Sequence, residues 1–432
     1  GGGLVRWGSS SSGAWGVVQE CMTGHFSWKA NDRLDWRNAK LIVMWGANPA
    51  RSNLGNPTYN LMQAKKAGAK FIFVDPQINP SIKALADKYI PCRPGTDTAL
   101  LLGMAYHMIE NNLHDQEFLD KYTVGFDKDH MPEGADPKEN FKDYVLGTYD
   151  GVPKTPEWAS EICGTDPQLI REFATEVATT KPVIFNSSFA PARTYRGQQF
   201  CQAFLTVGWM TGNVGKPGAG VWTMNYARNQ GYGGKTLVKG GGRGLPPAVN
   251  PLFPDATYGP YDGYRWANPN NPDAHGMAYC ETYDAILKGE YTGTGGKGKV
   301  PCDIRLIWLV RDQSGYNFLN QSSGIHKGIE AFRKVDFVVT NDIVLSTISK
   351  YADIVLPTTT EWEKFGKIDQ GNPEAIFINQ KVVEPLYEAK TEEWIDRELA
   401  KRLGLDPDEI YPIDEKQQFF NSIAGAEVIS ED

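Results

Sequence analysis

The chain has 432 residues, of which 22% are charged and 41% hydrophobic, with a formal net charge of −8. That length allows roughly two to three domains and a sizeable core. An acidic balance without a basic stripe argues against nucleic acid as a partner, and no apolar run approaches the ~20 residues needed to cross a bilayer.

Residues 1–14 are rich in glycine and serine (Trp7-Gly8-Ser9-Ser10-Ser11-Ser12-Gly13), a linker composition or a hydroxyl cluster facing a reactive centre. The stretch Leu41-Ile42-Val43-Met44-Trp45 is apolar without alternation and breaks on Gly46, followed by Ala47-Asn48-Pro49. This pattern predicts a parallel strand buried on both faces. A helix is predicted over Pro57–Ala67 with Gly68 as its C-cap signal, then a second buried strand over Lys70–Val74 ending on Asp75-Pro76. Together they form a βαβ unit. A short strand follows at Ile90–Pro94. Gly95-Thr96-Asp97 opens a helix through Ile109, and Asp97 is either its N-cap or a ligand contact.

Asp166-Pro167 starts a helix with Leu169, Ile170, Phe173 and Val177 on one face. Val183–Phe185 is a strand, and Gly197–Met210 is an apolar helix closed by the glycine-rich Thr211–Gly220 loop. From 221 to 300 regular pattern fades into Gly, Pro, Asn and Tyr, a functional or packed coil. Strands return at Ile304–Val310, Phe337–Thr340 and Ile354–Leu356, and Thr391–Leu403 is a late amphipathic helix.

The second set of strands echoes the first. Leu306–Val310 leads to Gly315 and Asn317 as Leu41–Trp45 leads to Gly46 and Asn48. The next strand ends on Asp342 as the earlier one ends on Asp75. Glycine and aspartate lie 29 residues apart in the first half and 27 in the second, the size of one βαβ unit. Two readings fit. Either two Rossmann-like units share these features for folding reasons, with both aspartates capping helices, or the chain carries two nucleotide half-sites. In the second reading, loop amides cradle phosphates and a carboxylate takes ribose or base hydrogen bonds. The expected fold class is α/β: two Rossmann-like parallel-sheet domains with helices on both faces, related by a pseudo-repeat. The expected division is 1–35 plus 226–432 for one domain and 36–225 for the other. No strand runs into Gly-x-Gly-x-x-Gly, which disfavours an NAD site. Six dispersed cysteines without a Cys-x-x-Cys pair, and no His-Glu-x-x-His, argue against a protein-built zinc or iron–sulfur centre in this stretch. Any metal held here takes most of its ligands from elsewhere.

Five motifs stand in order: Trp45-Gly46-Ala47-Asn48-Pro49, Val74-Asp75-Pro76, Arg93-Pro94-Gly95-Thr96-Asp97, Thr211-Gly212-Asn213-Val214-Gly215 and Tyr351-Ala352-Asp353-Ile354-Val355-Leu356-Pro357. Together they resemble the molybdopterin oxidoreductases of the dimethyl sulfoxide reductase family. Lys154–Ser160 and Gly1–Ala14 look most like the catalytic subunits of its anaerobic branch. The resemblance implies molybdenum held by two molybdopterin guanine dinucleotides, which fits a paired half-site. It implies reduction of S-oxides or N-oxides by oxygen-atom transfer. It also implies one metal ligand from the protein, with Ser11 in that position and Ser10 and Ser12 beside it. By the same resemblance Asp97 would grip a guanine and Asp75 that nucleotide's ribose or base. Asn48 would meet phosphates, and Trp45, Gly46, Pro49, Pro76 and Gly95 would belong to the same cofactor-binding set. Gly315, Asn317 and Asp342 would serve the other dinucleotide, and Arg193 in Pro191-Ala192-Arg193 would pair a phosphate or brace its loop.

Two departures are visible. Gln77 stands where the family has arginine after Asp-Pro, and Ser9 and Ser10 replace the aspartate and tyrosine expected before the serine. Reductases of arsenate, thiosulfate or polysulfide, or nitrate therefore stay open as alternatives, as does a non-catalytic guanine-dinucleotide-binding module. Starting at Gly1 without methionine or a visible signal peptide, the chain is expected to be a fragment, inactive by itself. It would lack an N-terminal domain with a [4Fe-4S] cluster and a C-terminal domain. The resemblance implies an iron–sulfur electron-transfer subunit, a membrane-anchor subunit and a place on the extracytoplasmic face of the cytoplasmic membrane.

Overall fold

The computed structural model describes residues 6–7, 14–23, 33–52, 56–223, 238–239, 245, 277–292, 298–310, 319, 324–366, 368–372, 375–421 and 427–428. Two compact units are present. One is formed by residues 11–235, the other by 1–10 with 236–432.

The first unit opens with α1 (Trp15–Thr23) and is built on five parallel strands. These are β1 (Leu41–Trp45), β2 (Lys70–Asp75), β3 (Lys88–Pro91), β4 (Val183–Ser187) and β5 (Gly220–Thr223). Their spatial order is β3-β2-β1-β4-β5. Trp45 is in register with Val74 on one side and Ser187 on the other. The chain reverses direction across the sheet between β1 and β4. In open α/β sheets that crevice, outside the carboxyl ends of the strands, is where ligands bind.

Side chains of β1 alternate between two cores, as strand geometry requires. Leu41, Val43 and Trp45 join Ile72, Val74, Val183 and Phe185 on one face. Ile42 and Met44 join Phe71, Phe73, Ile184 and Trp222 on the other. Helices cover both. The second face packs against α2 (Asn56–Lys66) and α3 (Pro80–Leu85) through Leu61, Ala64, Ile82 and Leu85. The first packs against α1, α4 (Asp97–Glu110), α5 (Pro156–Cys163), α6 (Pro167–Thr179) and α7 (Gly197–Met210). Helix α6 starts where the sequence signals it. The Asp166 carboxylate accepts from the Gln168 and Leu169 amides, Pro167 takes the first turn, and Ile170, Phe173, Ala174 and Val177 turn inward.

The expected division places residues 11–35 with the second unit, and the structure corrects it. The Trp15 ring meets Phe200 and Phe204 edge-on, at 5.8 and 5.7 Å, and the Asp35 carboxylate accepts from the Gly218 amide at 2.9 Å. A buried tryptophan near one end and an aspartate bond at the other tie that segment to the first unit. Within residues 1–10 of the second unit, Arg6–Trp7 pairs in parallel with Met277–Ala278.

The second unit carries a three-stranded parallel sheet, β6 (Leu306–Leu309), β7 (Phe337–Asp342) and β8 (Ile354–Pro357), in that spatial order. Helices α8 (Thr282–Lys288) and α9 (Ile325–Lys334) bury Tyr283, Ile286 and Phe332 against Ile307, Leu309 and Val338. Farther on, α10 (Glu392–Arg402) is capped by Thr391. Both α8 and an antiparallel pair, Glu290–Thr292 with Lys299–Pro301, lie inside the stretch that lacks pattern in the sequence. They are too short for a periodic signal to build.

Candidate functional site

The site is assembled on the carboxyl end of the first sheet. Gly46 has a positive φ of +59°, and a Cβ there would lie 2.8 Å from Pro191 Cγ, on the turn after β4. Only glycine lets the two loops at the chain reversal pass this closely. The Gly46 amide donates to the Val74 carbonyl at 2.8 Å, so β1 exits alongside β2. Asn48 then starts a one-turn helix, Pro49–Ser52. Its carbonyl accepts from the amides of Arg51 and Ser52, and its side-chain oxygen accepts from the Ser81 hydroxyl at 2.8 Å. Pro49 is buried at the helical first position, where its missing N–H costs nothing. Asn48 is thus fixed by α3, and the sequence contains no signal for Ser81 as its partner.

Asp75 ends β2, partly buried. One carboxylate oxygen accepts from the Gln77 amide at 3.1 Å and the other from the Asn79 side chain at 3.3 Å. Asn79, not Asp75, caps α3: its side chain accepts from the Ile82 amide. Burial raises the Asp75 carboxyl above the ordinary carboxylate range, opposed by the Gln77 and Asn79 bonds, and the charge of Asp97 raises it further. Two of about four acceptor positions are therefore filled from within the fold. Pro76 is exposed in the turn that follows.

Asp97 is the first residue of α4, and Thr96 holds the N-cap position without a side-chain capping bond. The capping role for Asp97 is thereby excluded. Its carboxylate instead accepts from the Trp45 indole N–H at 2.8 Å. Burial pushes the carboxyl up, while Trp45 and the amides of Asp97 and Gly95 pull it down. Trp45 is fully buried, its ring about 6 Å from those of Phe173, Phe200 and Phe204. This corrects the expectation of Trp45 as a direct contact. It is a positioning residue, because no surface of it is left to touch a ligand.

Asp97 lines a cleft of about 220 Å³ with Gly95, Trp158, Tyr195, Arg196 and Phe200. That is small against ligand pockets of roughly 300–1,000 Å³ and suits a single ring system. Gly95 has φ +76°, and a Cβ on it would approach Thr194 at 3.9 Å. Arg193 is exposed at the end of the Pro191–Arg193 turn, its guanidinium 5.6 Å from the Phe189 ring centre. The Thr194-Tyr195-Arg196 segment escaped the sequence reading, and Trp158 stood inside the Lys154–Ser160 resemblance without being assigned to the site. No local pattern gives these residues a place in the cleft, which they reach through packing of the β4–α7 loop and α5.

The stretch after the serine run is fastened to this same edge. The Ala14 amide donates to the Ala192 carbonyl at 3.2 Å, and Trp15 Nε1 donates to the Ser188 carbonyl at 3.2 Å. Ser11 itself, with Ser10 and Ser12, lies outside the described residues, as do Gly315 and Asn317.

In the second unit Asp342 ends β7, buried. One of its oxygens accepts from the amides of Ile343 and Val344, at 2.8 and 3.4 Å. The other accepts from the hydroxyls of Ser346 and Ser349, at 2.6 and 2.7 Å. Burial alone would raise this carboxyl, but the four bonds outweigh it and hold it below the ordinary range. All four acceptor positions are occupied, which corrects the expectation of Asp342 as a nucleotide contact. It braces its own loop.

Dimethyl sulfoxide reductase DmsA of Escherichia coli (strain K12) is 34% identical over 391 residues, covering 87% of this chain and 44% of that protein. The trimethylamine-N-oxide reductase of Haemophilus influenzae is 28% identical over 428 residues, covering 94% of this chain and 47% of that protein. The chain spans about half the length of the curated relatives it matches. Among solved structures, acetylene hydratase from Pelobacter acetylenicus superposes with a TM-score of 0.64 at 20% identity, over 97% of this chain and 54% of that one, a likeness of fold. The family model for molybdopterin oxidoreductases matches residues 9–402, and the chain belongs to that family.

Proposed function

We propose that this chain is the central part of a molybdenum-dependent reductase of S-oxides or N-oxides, and that its first unit holds one molybdopterin guanine dinucleotide. The observation that carries the reading is the convergence at the β1–β4 crevice. Gly46 lets the loops after β1 and β4 meet closely, two carboxylates keep acceptor capacity, and Ala14, which follows the serine run, is bonded to the same edge. Asp97 lines a cleft of nucleobase size, where an ionised carboxylate accepts N–H groups of a guanine edge. Asp75 takes ribose hydroxyls or the base, and Asn48 with the loop after Gly46 lies against phosphates. Arg193 and Arg196 supply the positive charge that a diphosphate needs. Ser11 supplies the protein's ligand to the metal. When bound, the group supplies oxygen-atom transfer, and the chain's residues hold and orient it. Relatives that carry the names of dimethyl sulfoxide and trimethylamine-N-oxide reductases support the substrate class.

The second dinucleotide belongs to the second unit. There Asp342 shapes the loop after β7, and the contacts fall to Gly315, Asn317 and neighbouring backbone. The full-length protein has a [4Fe-4S] domain and works with an iron–sulfur electron-transfer subunit and a membrane anchor on the extracytoplasmic face of the membrane.

The test is the full-length protein expressed with molybdenum cofactor and assayed against a panel of S- and N-oxides. Ser11→Ala is expected to abolish turnover while molybdenum content falls by less than half. Unchanged turnover in that variant removes Ser11 as ligand, and a panel without any reduced S- or N-oxide overturns the substrate class.

A further inference from the structure

Two cysteines lie side by side behind the Asp97 loop, and the proposed function uses neither. Cys92 follows β3 directly, and Cys163 is the last residue of α5. Hydrogen bonds bracket them on both sides. The Arg93 amide donates to the Cys163 carbonyl at 2.9 Å, and the Thr165 hydroxyl donates to the Pro91 carbonyl at 2.5 Å. The Arg93 guanidinium lies over the same junction, donating to the carbonyls of Glu161 and Ile162 at 3.1 and 3.3 Å. A Cβ on Gly164 would come within 3.0 Å of Arg93 Nε, so the two segments are already in contact. Both thiols are buried in one core, 4% and 1% exposed. Cys92 Sγ is also 3.6 Å from the hydroxyl of Thr96, the residue that precedes Asp97 at the start of α4.

We propose that Cys92 and Cys163 form an oxidation site, closing into a disulfide that staples the turn before α4 to the end of α5. The backbone hydrogen bond from Arg93 to Cys163 keeps the two segments adjacent, the neighbourhood that such a bond requires. The electronics agree with the geometry. A hydrogen bond from Cys92 pulls the Cys163 thiol down to about 6, whereas burial raises the thiol of Cys201 in the same core. In the proposed exchange Cys163, whose thiol its partner holds down, attacks first. In a locally open state its thiolate attacks a small-molecule disulfide, releasing one thiol and leaving a mixed disulfide on Cys163. Cys92 loses its proton and displaces the second thiol as the Cys92–Cys163 bond forms. The net change is two protein thiols oxidised and one donor disulfide reduced to two thiols, which carry the two protons. Closing the bond draws Cys92 from Thr96 and fixes the Gly95-Thr96-Asp97 turn.

The test needs no cofactor and stands apart from the function proposed above. The chain, purified under reductant, is exposed to oxidised glutathione, denatured, alkylated and digested without reductant. A peptide joining Cys92 to Cys163 is expected, absent after dithiothreitol. The melting temperature should rise by roughly 5–10 °C on oxidation and return on reduction. Cys92→Ala and Cys163→Ala should each lose that reductant-dependent shift. Should either variant fail to fold, the peptide map of the unmodified sequence decides alone. Both cysteines recovered alkylated, or each carrying glutathione with no bond between them, would overturn the proposal.

Discussion

The two sheets repeat one βαβ plan and differ in what their aspartates can still accept. In the first unit all five residues of β1 are buried, and Asp75 keeps about half of its acceptor positions. In the second, β6 leaves Leu306 exposed and Trp308 partly so, while Asp342 is filled by two amides and two hydroxyls. Equal position at the end of a second strand does not give equal availability. The residues that follow decide it. Gln77 and Asn79 each offer Asp75 one N–H, whereas Ser346 and Ser349 fold back on Asp342 and complete its shell. A carboxylate whose bonds are all internal stabilises a loop, and one that is half bonded can recognise a ligand.

The comparison breaks most visibly at Asp342. Asp342→Ala leaves two amides and two hydroxyls facing a buried void and should cost about 3 kcal/mol, against about 1 kcal/mol for Asp75→Ala. Urea unfolding of the two variants measures this, and equal losses would show that the aspartates are equivalent after all. Next in size is Gly46→Ala. Its positive φ and the 2.8 Å approach to Pro191 predict a loss of about 2 kcal/mol with the β1–β4 crevice pushed open. A silent substitution would mean that the loops do not need this closeness.

The smallest effect is a difference of sign with pH. The Asp97 carboxyl is held above its unfolded value, so its contribution is full below about pH 4 and is lost as pH rises through the folded value. Asp342 is held below its unfolded value, so its contribution is full above about pH 4 and is lost as pH falls through the folded value. Melting curves between acid and neutral pH for Asp97→Asn and Asp342→Asn, each set against the parent, should deviate in opposite directions. Deviations of the same sign would contradict the contrast between the two sites.

Much of the frame was legible in the chain itself. Leu41–Trp45 declared a doubly buried strand by its unbroken apolar run, Gly46 declared a tight exit, Asp166-Pro167 declared its helix by the proline at the first turn, and Thr391–Leu403 declared one by its amphipathic pattern. These are local facts, fixed by side-chain period and by hydrogen bonds that close within a few residues. Tertiary structure decided the rest. It set the Trp45 indole against Asp97, 52 positions away, and Ser81 against Asn48, 33 away. It joined α1 to the first sheet and saturated Asp342 while leaving Asp75 partly open. Which donor reaches which acceptor depends on how whole strands and helices pack, and no short-range pattern in a sequence encodes that distance.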